Sequence, residues 1–105
     1  MRMPFIVKFE HKDSPVCFLS NEQTERLALF RAFSELFFSL GDDHSRAERA
    51  LEEVREMDLA QMKEYKFCTD VYHYRSVLTF SSIREITYEQ YSVLSELSND
   101  LALIT

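Results

Sequence analysis

A chain of 105 residues with 46% apolar and 29% charged residues has the proportions of one soluble globular domain, residues 1–105, able to bury a core without disulfides or metals. The formal net charge is −6; residues 42–58 hold seven acids against three bases, and residues 85–105 hold four acids and no base. Direct nucleic-acid binding is therefore not expected, because phosphate contacts demand clustered Lys and Arg, and a single glycine, Gly41, excludes dinucleotide fingerprints and P-loops.

The first segment, "FIVKFEH" (5–11), alternates with Phe5, Val7 and Phe9 on one face and predicts a strand. Its apolar core is too short for a signal peptide and lacks a small-residue cleavage site. No run reaches bilayer length, since Arg31 and Glu35 interrupt the most apolar stretch. A cytoplasmic location, no membrane association and free thiols at Cys17 and Cys68 are the corresponding expectations. "KDSP" signals a turn, and "VCFLS" (16–20) reads as a second strand pairing back on the first.

Ser20 and Gln23 have the spacing of a capping box, opening a helix that Gly41 ends as a left-handed cap. A second helix is expected from about Ser45 to about Met57, with 58–65 either extending it or forming a separate turn of helix. "VYHYRSVLTF" (71–80) alternates as one strand, placing Tyr72, Tyr74, Ser76, Leu78 and Phe80 on a common face, and "SIREI" (82–86) suggests a further short one. Thr87 and Gln90 form another capping box, opening a last helix in which Leu101 and Ile104 stay in phase with Leu94 and Leu97. The order β-β-α-α-β(-β)-α predicts an α+β fold: a small antiparallel sheet of three or four strands with about three helices packed on one face.

The first helix carries more large apolar residues than one face can hide. On a helical wheel Leu29, Phe30, Ala32, Phe33, Leu36, Phe37 and Leu40 fill an arc of roughly 160°. Leu27 and Phe38 fall on the far side, beside Arg31 and Ser34. Either another helix of the chain covers them, or Leu27, Arg31 and Phe38 belong to a subunit or partner interface, for which a C2 homodimer is the default. The second helix offers only a narrow apolar stripe of Ala47, Ala50, Leu51, Val54 and Met57. Its opposite face carries Glu48, Glu52 and Glu56 at i, i+4 and i+8, either a solvated face or an acidic strip for a basic protein partner. Arg49 is within reach of Glu53, and Arg55 lies beside Glu52.

Enzymatic readings are few. Cys68 and His73 differ by an odd number, so on one strand they face opposite ways, and Asp42, Asp43 and His44 sit where turn and capping residues are common. Neither a metal nor any other cofactor is expected. The alternative to an interaction protein is a small-ligand-binding protein or modest enzyme, with a pocket between sheet and helices formed by Tyr72, His73, Tyr74 and Arg75. The leading expectation is a non-enzymatic interaction module, a cytosolic regulator or inhibitor acting as a homodimer.

Overall fold

A computed structural model describes residues 3–11, 14–40, 44–71, 74–97 and 103–104. Along the chain these form β1 (Met3–His11), β2 (Ser14–Glu22), α1 (Glu25–Leu40), α2 (His44–Arg55), α3 (Leu59–Glu64), β3 (Lys66–Val71), β4 (Tyr74–Glu85), α4 (Tyr88–Glu96) and β5 (Leu103–Ile104). Four strands pair antiparallel in the order β3-β4-β1-β2, and β5 adds a short parallel edge beside β2. The architecture is α+β, as the grouping of strands and helices in the sequence predicts.

Alternation on β1 turns Phe5, Val7 and Phe9 into the core, while Lys8 and Glu10 stay exposed. Their cross-strand neighbours Ser20, Phe18 and Val16 on β2 share that face. On β4 the register with β1 shifts between Lys8 and Phe9: Ser82 stands opposite Lys8 but Phe80 opposite Phe9. Ser81 is therefore an extra residue, a bulge that reverses the parity of β4 and brings both Phe80 and Ile83 to the core side. The "further strand" at 82–86 is the continuation of β4 beyond this bulge.

Helices α1, α2 and α3 cover the core face. Leu29, Ala32, Phe33, Leu36 and Phe37 are fully buried, joined by Ala28, and Phe30 is half-buried. Phe33 lies at the centre of an aromatic chain, with ring centroids 5.3 Å from Phe9, 5.2 Å from Phe37 and 6.1 Å from Tyr65. The Phe37 ring in turn lies 4.3 Å from that of Phe67, the two planes tilted by 32°. The stripe of α2 is as narrow as its sequence implies, burying Ala47, Ala50 and Val54. Arg26 holds this layer together: its guanidinium donates to the carbonyls of Arg55 (2.7 Å) and Met57 (2.9 and 3.1 Å), satisfying oxygens that the end of α2 leaves without helical partners.

The fourth helix lies on the other side of the sheet. Leu19 is only 2% exposed although its parity, opposite Ile6, turns it away from α1, and it belongs with Ile86 outside the main core cluster. Arg84, which also pairs with Ile6, lines a groove with Glu89, Gln90, Val93 and Leu94 of α4. Three helices do pack on one face, then, but the third is α3, and the helix after β4 covers the reverse.

Several local readings change. Ser20 is a buried strand residue rather than a cap; α1 starts after Thr24, whose hydroxyl accepts from the Leu27 amide at 3.2 Å. The segment 58–65 is a separate helix, closed by a reciprocal Asp58–Gln61 capping box with bonds of 2.8 and 3.0 Å. Residues 71–80 are not one strand, because β3 ends at Val71, which pairs antiparallel with Tyr74 of β4. Parity arguments drawn through Tyr72 and His73 lapse with that strand. The helical phase of Ile104 is not kept either: α4 ends at Glu96, and Leu103–Ile104 pair with Cys17 and Phe18; Leu101 lies outside the described residues. An unpaired strand edge competes well against an isolated turn of helix. Gly41, the expected helix cap, lies outside the described residues.

Candidate interaction surfaces

The first surface is the outer face of α1. Leu27, Arg31, Ser34 and Phe38 repeat at i, i+4, i+7 and i+11, so they form one line along the helix. Leu27 is 39% and Phe38 37% exposed, large apolar side chains left partly open to solvent. Between them the Arg31 guanidinium donates to Glu22 Oε1 at 3.0 Å, fixing the long side chain across the end of β2. The Phe38 ring stands edge-to-face with the ring of His44, centroids 5.7 Å apart. The three residues Leu27, Arg31 and Phe38 therefore lie in one line on the exposed side of α1.

The second surface is the acidic strip. Glu48, Glu52 and Glu56 are all exposed, the last just beyond the end of α2. The arginines expected to temper the strip are engaged differently. Arg49 donates to the Ser45 carbonyl at 3.5 Å, and the Arg55 guanidinium lies 5.8 Å from the Phe30 ring centroid.

The expected ligand pocket is not assembled from described side chains. Tyr72 and His73 lie outside the described residues, and Tyr74 and Arg75 open β4. Nor do the described residues contain a cluster of three or more His, Cys, Asp or Glu groups suited to a metal. No described helix is long and apolar enough to cross a membrane.

A groove that sequence reasoning missed runs between α2 and β3, with a volume of about 570 Å³. Arg46, Arg49, Ala50 and Glu53 form its helical wall at i, i+3, i+4 and i+7, and Lys66, Phe67 and Cys68 form its strand wall. Tyr65 closes one end: its hydroxyl donates to Glu53 Oε2 at 3.2 Å while its ring packs edge-on against Phe33. Burial, then the charge of Glu53 and the hydrogen bond to it, push the Tyr65 phenol up to about 12. At neutral pH it is a fixed hydrogen-bond donor that pins α2 to the start of β3, not a proton-transfer group. The arginine spacing was visible in the sequence, but only the sheet order reveals that it faces a strand edge.

Among the described residues, fold and surfaces define a small α+β protein with a partly exposed helix face and an unpaired sheet edge. No protein-family model matches the chain, and no curated protein or solved structure matches it.

Proposed function

We propose that the chain is a non-enzymatic protein-interaction module, a cytosolic regulator or inhibitor that acts as a homodimer. The exposed line on α1 carries the reading. Its order, Leu27–Arg31–Ser34–Phe38, is self-complementary: when two such helices pack antiparallel about a twofold axis, Leu27 meets Phe38 of the second copy and Arg31 meets Ser34. The small Ser34 side chain at the centre lets the helices approach closely. The separation of Leu27 and Phe38, about 16 Å along the axis at 1.5 Å per residue, sets two apolar contacts around a polar middle. The exposed strip of Glu48, Glu52 and Glu56 supports a further contact with a basic protein. Free thiols at Cys17 and Cys68 fit a reducing cytoplasm.

Phe38→Asp tests the dimer. An unpaired charge in a desolvated contact costs several kcal/mol, while at an exposed position it leaves the fold intact. The variant is expected to keep its circular dichroism spectrum while its light-scattering mass falls from dimer to monomer. A wild-type protein that is strictly monomeric at all accessible concentrations refutes the homodimer.

A further inference from the structure

We propose that the groove between α2 and β3 is a docking site for an extended acidic peptide segment of a partner protein, which adds as a further strand to the β3 edge. The inference rests on the interaction-module reading but not on the α1 dimer.

Three observations converge. Among the described residues β3 is the terminal strand of the sheet, bonded to β4 on one side, and no described strand pairs with the backbone N–H and C=O groups on its outer side. An added strand lies about 4.8 Å from its neighbour, and the groove borders the first three residues of β3. Arg46 and Arg49 of α2 and Lys66 of β3 line it, and among the described lining residues the one carboxylate is Glu53, which already accepts the Tyr65 hydroxyl. A chain with a net charge of −6 thus places two arginines of α2 and Lys66 of β3 around this groove. Phe67 and Ala50, both nearly buried, give the groove an apolar floor.

The combination selects the occupant. A peptide backbone matches the unpaired row of β3, alternate side chains face the α2 wall, and Glu or Asp there meets Arg46 and Arg49 in charge-assisted pairs. A second copy of the same edge fits poorly, because twofold pairing of β3 with itself brings two sets of Arg46, Arg49 and Lys66 together. Phosphate polymers share the negative charge but cannot complete a β-ladder.

The test titrates ¹⁵N-labelled full-length protein with a blocked hexapeptide of alternating Val and Glu, followed by amide shifts. Three comparison probes are the Val-Lys peptide, a Val-Glu peptide N-methylated on one edge, and oligo-dT. The expected result is saturable binding of the Val-Glu peptide, with the largest shifts in β3 and α2 and added hydrogen-exchange protection in β3. Val-Lys and N-methylated peptides should not bind. The Arg46→Glu/Arg49→Glu variant, whose altered side chains are exposed, should keep its thermal midpoint and bind about tenfold or more weakly, the loss expected for one charge-assisted contact. No binding at millimolar peptide overturns the proposal. So does binding indifferent to N-methylation or to the double variant, or tighter binding of oligo-dT. Light scattering on the same samples separates the two readings: a dimer that ignores the peptide removes only the groove, and a monomer that binds it removes only the dimer.

Discussion

Phe33→Ala probes the centre of the packing argument. The side chain is fully buried and contacts rings from β1, from the next turn of its own helix and from the segment before β3. A buried aromatic removes about 200 Å² from water, worth about 5 kcal/mol at 25 cal/mol per Å², and truncation to Ala forfeits more than half of it. Lost ring–ring geometry adds about 0.5–1.5 kcal/mol, and the neighbours cannot collapse onto the gap because they are anchored on different elements. The expected cost is about 3–5 kcal/mol, a large share of the roughly 5–15 kcal/mol available to a domain of this size. Urea unfolding followed by circular dichroism measures it, with the slope m unchanged if only the native state is affected. Phe38→Ala, at a position 37% exposed, should cost less than about 1 kcal/mol in the same assay. A Phe33→Ala cost below about 1 kcal/mol, or one equal to that of Phe38→Ala, refutes the assignment of faces on α1.

Tyr65 makes stability depend on alkaline pH. Because its folded pKa is raised from 10.0 to about 12, its contribution is complete below pH 10 and is lost as the pH rises through that interval. Thermal midpoints of Tyr65→Phe should lack this part of the decline; parallel curves for wild type and variant would contradict the hydrogen-bonded placement. Cys17 and Cys68 sit on β2 and β3, three strand spacings or about 14 Å apart, too far for a disulfide. Mass spectrometry without reductant should find two thiols, with exposed Cys68 alkylated first; an intramolecular bridge would refute the strand order. Arg31→Glu removes a surface ion pair worth about 0–1 kcal/mol, so the monomer should stay folded. It also sets a carboxylate beside Glu22 at the proposed twofold axis, so the dimer should weaken; an unchanged mass in light scattering counts against antiparallel α1 pairing.

Features governed by neighbours in sequence were the legible ones. Period-two alternation exposed the inward face of β1, the wheel separated Phe33 from Phe38, and Thr87 with Gln90 announced α4, whose reciprocal cap bonds measure 3.0 and 3.1 Å. Misreadings arose where one local signal had two physical outcomes. Ser20–Gln23 has capping-box spacing, yet pairing with Phe5 draws Ser20 into the sheet and leaves the cap to Thr24. The sequence between Val71 and Tyr74 lacks glycine, asparagine or proline, so the alternation across β3 and β4 passed for one strand. The bulge at Ser81 and the edge position of β3 depend on pairing partners distant in sequence, which no local pattern encodes. The groove was hidden for the same reason: its cations come from α2 and β3, and their meeting is a property of the sheet order.

The area of the α1 line constrains what a partner must touch. A standard interface buries about 800 Å² on each side. Leu27 and Phe38, each exposed by about two-fifths of a side chain presenting on the order of 200 Å², supply about 150 Å² between them. They suit the role of central anchors, with the larger share of area coming from a polar surround. On α1 that surround is Arg31, Glu35 and Ser39, with His44 beside Phe38 and Glu22 beside Arg31, all within reach of a helix laid antiparallel across them. The β3 groove, by contrast, joins a small apolar floor to a strand edge that no described strand pairs, so the affinity proposed for it comes mainly from main-chain bonds and charge. One surface is therefore expected to respond mainly to apolar truncation and the other mainly to salt and backbone methylation, so the two contacts can be lost independently.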